Sequence, residues 1–385
     1  MNSIFVLGAG RMGQVAARDL CRSSLIDEVI IGDIDVHRAE HARNAIGSNK
    51  IKVVEVDATD SVKLAEQISG SGVLINATWY EHNLEVMKAA IQARVHYNDL
   101  GGLFHMTRKQ MELHRKAENA GITAVLGGGE SPGITNVMAA LCAKKLDNVK
   151  KIRIRVGGVD VGRVPESDRL AFPFAVSTIF DEYSKTPVMF VNSKFQEVAP
   201  LAGDELVEFN EPVGRNTCHY SIHSEIATLP LTFQQVTDVD FKLGVSPKLF
   251  KAIKPMIEAG LGDSVPIEVK GVKVSPRDFA IACLQSRASS DEPERCVALK
   301  TVAEGVKDGK SRTVTCDVVG KPDQIFGVKN ATALLTGIGA SIVAQMIMAG
   351  AITKKGVLAP EACVPPEGMM SELEKRNIET SIRVT

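Results

Sequence analysis

The 385-residue chain has no two cysteines spaced as CxxC: its seven, Cys21, Cys142, Cys218, Cys283, Cys296, Cys316 and Cys363, are scattered and odd in number. That excludes the ligand pattern of a zinc ribbon and the paired framework of a small secreted domain. Charge is equally unpatterned. A formal net charge of -1, without a basic block or an acidic tail, gives nucleic acid nothing to bind. The start at Met1, Asn2 and Ser3 runs directly into a strand-like stretch and lacks the charged region and apolar core of a secretory signal, so a reducing cytoplasm is the expected compartment. Internal repeats and low-complexity segments are absent. A single apolar run, Ala331 to Ala351, approaches the ~20 residues that a bilayer demands. Two glycines, Thr336, Ser341 and Gln345 interrupt it, which marks a core helix that stops at Gly350 and predicts no membrane partner.

What is present is enough for two domains, at roughly 100–200 residues each. Hydrophobic residues at 44% and charged residues at 24% describe an ordinary globular protein. From Ile4 to Leu126 short apolar runs ("IFVLG", "EVIIGD", "KVVEVD", "GVLINAT", "VHYNDL", "ITAVLG") alternate with helical patterns, the rhythm of βαβ units in a doubly wound parallel sheet. After "GGGESPGITN" longer polar-apolar alternations take over, and Asp308-Gly309 between two such runs predicts a hairpin. A mixed or antiparallel second sheet follows.

The opening "GAGRMG" stands directly after a strand and opens a helix, the context in which G-x-G-x-x-G carries meaning. Gly8 permits the tight turn, Gly10 lets backbone approach a pyrophosphate, and Gly13 brings helix and strand together, with Arg11 and Met12 between them. The helix amino terminus adds partial positive charge. Asp33 ends the next strand twenty residues beyond Gly13, where an acid hydrogen-bonds the ribose hydroxyls and repels a 2′-phosphate; with Ile34 beside it, the cofactor read from this pattern is NAD. This makes residues 1–130 an NAD-binding Rossmann domain. Ligands in such sheets lie outside the carboxyl ends of the strands, which places Asp57 and Ala58 near the adenine, or Asp57 in a plain turn. By the same rule Asn76, Ala77 and Thr78 run under the pyrophosphate and nicotinamide.

Taken in order along the chain, the glycine loop, "VDATD", "LINATWYEHN", "VHYNDLGG", "SPGITNVMA", "RVGGV", "SPRD" and "ITKKGVLAPE" resemble the saccharopine dehydrogenase family, and within it the stand-alone L-lysine 6-dehydrogenases. The resemblance implies a Rossmann domain, a mixed α/β substrate-binding and dimerisation domain over residues 131–328, and a carboxy-terminal segment, 329–385, that returns to the first domain. It also implies a homodimer or higher homo-oligomer, and reversible oxidation of a carbon-nitrogen bond in a small-molecule amino-acid substrate. Two departures stand out: where members often carry an acid two residues before the middle of the loop leading to the Pro-Gly pair, this chain reads Gly127-Gly128-Gly129, with its acid at Glu130, and "HYSIHSEIATLP" replaces a glycine- and serine-rich stretch.

Hydride can leave a carbon bearing nitrogen only if that nitrogen is unprotonated, and holding a lysine ε-amine neutral at pH 7 costs about 4–5 kcal/mol. A positioned base in a desolvated pocket meets the demand and then activates water. Asp99 in "VHYNDLGG" is the first candidate, against a role as cap of the helix starting near Leu103; His96 is either a partner or a structural histidine. Leu100, Gly101 and Gly102 let a ligand approach the backbone. Tyr80, Glu81 and Asn83 follow the fourth strand and are expected to border the nicotinamide, with Trp79 as packing. Pro132, Gly133 and Asn136 open a helix that either receives a substrate carboxylate or makes an interdomain turn. His219, His223 and Glu225 alternate along an expected strand and share one face as a polar substrate wall, with no neighbouring pattern to complete a metal site. Arg277 in "SPRD" binds a carboxylate or sits in a first helical turn. The leading expectation is oxidative deamination of L-lysine at its side-chain amine. Alternatives are saccharopine-type chemistry or another amino-acid dehydrogenase, and a non-catalytic dinucleotide sensor.

Overall fold

Ser3–Leu7 (β1) is buried at every position, as a central strand of a parallel sheet must be. The computed structural model describes residues 2–162, 170–244, 246–287 and 294–385. After β1 come Arg11–Arg22 (α1), Glu28–Asp33 (β2), Val36–Ile46 (α2), Ile51–Glu55 (β3), Ser61–Ile68 (α3), Val73–Asn76 (β4), Asn83–Ala93 (α4), His96–Asp99 (β5), Leu103–Met111 (α5), His114–Asn119 (α6) and Thr123–Val125 (β6). The strands lie side by side in the order β6-β5-β4-β1-β2-β3, all parallel. Leu7 pairs with both Gly32 and Asn76, and Asn76 with Asp99, so the carboxyl ends of β1, β2, β4 and β5 are level. One rim of loops results.

The second unit begins with Ile134–Ala143 (α7) and Asn148–Asp160 (β7), then Val176–Ser184 (α8), Val188–Val191 (β8), Lys194–Glu197 (β9), Glu205–Glu208 (β10), Arg215–Tyr220 (β11), Glu225–Thr232 (α9) and Asp238–Gly244 (β12). Pro247–Met256 (α10), Ile267–Val269 (β13), Val272–Val274 (β14), Pro276–Ser286 (α11), Arg295–Lys307 (β15) and Lys310–Gly320 (β16) follow. Asp308 and Gly309 turn β15 into β16 with φ of 51° and 71°, the left-handed pair that Asp-Gly accommodates. In β7, Ile152, Ile154 and Val156 face the core while Arg153 and Arg155 alternate to the other face, where they pair with Glu304 and Glu205.

The carboxy-terminal residues form Ala331–Met348 (α12), Gly356–Leu358 (β17), Pro360–Cys363 (α13), Pro366–Glu374 (α14) and Glu379–Val384 (β18). They serve both sheets. β17 extends the parallel sheet beside β6, whereas β18 pairs with β16 at an edge of the second sheet, which runs β10-β11-β12-β7-β15-β16-β18. α12 is long and apolar enough to cross a membrane, yet 83% of it is buried within the protein. A side chain at Gly337 would stand 2.6 Å from the Met12 carbonyl, so the small residues of α12 exist to bring it onto α1. The α/β class, a Rossmann sheet plus a mixed second sheet, is as expected.

Candidate active site

The glycine loop is built as a cradle. Gly8 holds a φ of 103°, and a Cβ on Gly13 would lie 1.9 Å from the Gly8 carbonyl, so neither position admits another residue. Beside Gly10, by contrast, a Cβ would meet nothing within 4 Å, which leaves open space along the backbone where a pyrophosphate belongs. Asp33 is buried at the tip of β2, accepting from the amides of Ala9 (2.7 Å) and Asp35 (2.9 Å) with lone pairs to spare. Next to it Ile34 is 66% exposed, an apolar wall for an adenine. Asp57 closes a turn on the Thr59 amide and hydroxyl, which hold its carboxyl below the usual range. The residues present fit a dinucleotide.

Between this rim and the second sheet lies a cavity of about 290 Å³. Met12, Ala77, Thr78, Trp79, Tyr80, Leu100 and Gly101 supply the dinucleotide side, and Glu130, Ser131, Pro132, Glu182, His223 and Arg295 supply much of the rest. A larger groove of about 600 Å³ runs along α7 and α13, but its Ala351–Lys354 wall comes from the amino end of β17, away from the strand tips where ligands bind.

Among the described residues, four buried polar atoms of the cavity wall have no hydrogen-bond partner: the acceptors Glu130 Oε2 and Glu182 Oε2, and the donors Trp79 Nε1 and Arg295 Nε. Burial pushes Glu130 up to about 8, with Arg295 and the Thr336 hydroxyl opposing and Glu182 reinforcing. Burial likewise pushes Glu182 up to about 7, against the pull of His223. His223 lies flat on Phe241, ring centroids 3.8 Å apart, with Nδ1 2.5 Å from Glu225 Oε2 and Nε2 4.0 Å from Glu182 Oε1. Burial opposes charge on this imidazole, but Glu225 and Glu182 together raise its pKa. Glu225, although buried, is held below the usual range by His223 and by the hydroxyls of Ser131 (2.6 Å) and Thr135 (2.8 Å). A carboxylate, an imidazole and a second carboxyl thus lead into the cavity.

Several expected site residues do other work. Asp99 does not line the cavity: its carboxylate accepts from Gly101 N (2.9 Å), Gly127 N (2.6 Å), Tyr97 Oη (2.9 Å) and Gln110 Nε2 (2.7 Å). Nor does it cap α5, whose first residue follows Gly102 without a side-chain cap. His96 begins β5, at the end of the sheet opposite the loops, and its Nδ1 accepts from Thr123 N; burial, helped by Lys355, lowers it to about 4. Asn83 ties Asn76 to the Gly101 carbonyl, and the Asn76 side chain itself is spent on Asn83 and Thr78.

The amino terminus of α7 is closed to a substrate carboxylate, since Gly133 N donates to Asn136, Ile134 N to Gly129 and Thr135 N to Glu130. Gly102 N reaches the Ser224 hydroxyl. His219, His223 and Glu225 do not share a strand face, because β11 ends at Tyr220 and α9 begins at Glu225; His219 turns to Asp204 and stacks on Phe250, away from the cavity. Arg277 sits in the first turn of α11 and is bound to Asp181. Glu182 and Arg295 are site residues that the sequence reading does not pick out.

Residues 4–125 match the family model described as the saccharopine dehydrogenase NADP binding domain, and residues 129–378 match the saccharopine dehydrogenase C-terminal domain. The chain belongs to the saccharopine dehydrogenase family. It is accordingly an NAD(P)-dependent oxidoreductase acting on a carbon-nitrogen bond, not a silent sensor. Carboxyaminopropylagmatine dehydrogenase of Synechocystis sp. is 23% identical over 95% of this chain and 94% of its own length. Carboxynorspermidine synthase of Vibrio cholerae is 24% identical over 94% and 92%. Among solved structures, apo saccharopine dehydrogenase (L-Glu forming) from Saccharomyces cerevisiae superposes over 100% of both chains with a TM-score of 0.76 at 19% identity. Homospermidine synthase from Legionella pneumophila, in complex with NAD, covers 100% of this chain and 91% of its own with a TM-score of 0.69 at 12% identity. These structures share the family's fold.

Proposed function

We propose that the protein uses NAD to make or break the carbon-nitrogen bond of a zwitterionic amine, one that carries a carboxylate as well as cationic nitrogen. The observation that supports this is the balance of unpartnered groups in one cavity, two carboxyl oxygens and two N–H donors. Each such group costs about 1–3 kcal/mol while it stays unpaired, so the favoured ligand presents both signs. Within that class the carboxyalkylated polyamines named by the relatives rank before lysine, because those relatives span more than nine-tenths of the chain.

Each part of the wall has a role in this reading. The backbone of Gly8 to Gly13 would hold the pyrophosphate of the dinucleotide and Asp33 its ribose, and the chemistry the group would supply there is a hydride acceptor for the oxidising direction. His223, fixed by Glu225, takes the proton from the substrate nitrogen and later serves the water that completes hydrolysis. Glu130 and Glu182 hold the remaining cationic nitrogen, and Arg295 faces the carboxylate. The enzyme works as a homodimer or a multiple of one, with the interface in the second domain; light scattering of a dilute sample tests that. The function is tested by following nicotinamide absorbance with NAD and NADP against a panel of carboxyalkyl polyamines, saccharopine and lysine. Turnover of lysine alone overturns the ranking within the class, and turnover of none overturns the reading.

A further inference from the structure

We propose that Trp79 is the specificity-determining residue of this cavity: its indole N–H donates to the carboxylate of the bound amine, and Arg277, locked on Asp181, is the positioning residue that aims it. The proposal rests on the zwitterionic-amine reading above. Trp79 is the sole tryptophan of the chain and follows Thr78, three residues beyond the end of β4, on the dinucleotide side of the cavity.

Its ring is clamped on several sides. The Arg277 guanidinium stands 5.7 Å from the ring centroid, while Tyr80 and His82 meet the ring edge to face at 5.7 Å and 6.0 Å. Arg277 is itself immobilised by a bidentate pair with the buried Asp181, Nε to Oδ1 at 2.7 Å and Nη2 to Oδ2 at 2.8 Å. Tyr80 Oη donates to the same carboxylate at 2.6 Å and accepts from Lys185 Nζ at 2.7 Å. A planar guanidinium held in a fork is the group best suited to stack on an indole and fix its tilt. Five residues, Tyr80 and His82 from the turn after β4, Asp181 and Lys185 from α8 and its end, and Arg277 from α11, are therefore spent on the orientation of one ring.

The Trp79 Nε1 is buried and, among the described residues, has no hydrogen-bond partner. An indole N–H only donates, so what completes it must be an acceptor. The free oxygens of Glu130 and Glu182 are also unpartnered, so the wall itself does not satisfy the indole. The acceptor comes with the ligand, and in a zwitterionic amine that acceptor is the carboxylate.

The test compares two amines that differ only in the carboxylate, with wild type and Trp79→Phe, which keeps a ring and removes the N–H. The expected result is a rise in KM of about 10- to 100-fold for the carboxylated amine, the range of a hydrogen bond to a charged group. The loss should fall on KM more than on kcat, and the carboxylate-free amine should lose far less than the carboxylated one. Equal losses on both amines, or a loss of NADH affinity, would overturn the assignment to the carboxylate. Arg277→Lys retains the tryptophan as a reporter: its emission should shift to the red in the free enzyme, and KM for the carboxylated amine should rise while kcat holds. Unchanged emission and KM remove Arg277 from the proposal. If wild type oxidises the carboxylated amine and Trp79→Phe matches it, this inference fails alone; if wild type oxidises no such amine, the functional reading fails first.

Discussion

His223 Nδ1 and Glu225 Oε2 meet at 2.5 Å across the junction between β11 and α9; both residues are buried, His223 lines the cavity, and its Nε2 lies 4.0 Å from Glu182 Oε1. Glu225 accepts, so Nδ1 carries the hydrogen and Nε2 is left with its lone pair when the ring is neutral. Ser131 and Thr135 anchor the carboxylate from the loop and first turn of α7, tying the orientation of the base to the segment that carries Pro132 into the cavity.

The pH profile of oxidation should report this pair. Neutral His223 accepts the proton, so kcat/KM climbs with pH through an imidazole pKa that Glu225 and Glu182 hold above its ordinary value. Glu225→Gln removes the nearest charge and leaves burial to act, so the limb should move to lower pH while the plateau falls about 10²-fold, within the range of acid-base catalysis. Profiles of both proteins with one substrate decide the matter. A limb that does not move places the base elsewhere.

Glu130 predicts an unusual stability curve. Its folded pKa of about 8 lies above the ordinary glutamate value, so its contribution is complete below about pH 4.5 and is lost as pH rises through about 8. Melting temperature of the free protein should therefore decline between about pH 5 and 8. Glu130→Gln, a neutral isostere, should flatten that decline and weaken binding of the amine tenfold or more. Differential scanning measurements across the range settle it; a variant as pH-sensitive as wild type would mean that another group, Glu182 at about 7 first, governs the slope.

The parts legible in the sequence are those set by neighbours along the chain. The glycine loop and Asp33 form one βαβ unit, and the Asp308-Gly309 turn needs only its two flanking strands. Asp99 misled because an acid at a strand end looks identical whether it faces ligand or interior; what consumes it, Gln110 and Gly127, lies one helix and one strand further on. The alternation of His219, His223 and Glu225 suggested a strand that the chain has already left at Tyr220. Glu182 did leave a signal, an acid in the stripe of Val176, Ile179, Phe180 and Tyr183 that α8 buries. Arg295 left none, since only the pairing of β15 with β7 brings it to the cavity.

Asp99→Asn separates the two roles of that acid by stability. An amide oxygen replaces one carboxylate oxygen, but its NH₂ then opposes two of the four donors, Tyr97 and Gln110 or the amides of Gly101 and Gly127. Buried donors left unpaired cost about 1–3 kcal/mol each, so denaturant midpoints should drop clearly. Turnover per folded molecule should stay within a few-fold of wild type. A well-folded variant without activity would restore Asp99 to the reaction.

Cofactor choice turns on Asp33, and the structure shows what its removal would release. Arg38 lies 3.6 Å from Asp33 Oδ1 and 3.6 Å from Asp35 Oδ2, a cation held between two acids beside the residue that would hold the ribose. With both acids present, a 2′-phosphate meets like charge and NAD is preferred. Asp33→Ser removes the ribose acceptor and one repulsive charge, and it frees half of Arg38's pairing for phosphate. NAD affinity should fall about tenfold or more while NADP affinity rises, so their ratio moves by a larger factor than either alone. The Ala9 amide also loses its carboxylate partner, so the melting temperature of the variant is measured beside the titrations. Titrations of both reduced cofactors by fluorescence read the result directly: wild type preferring NADPH, or a variant whose ratio stays fixed, would remove Asp33 as the selector.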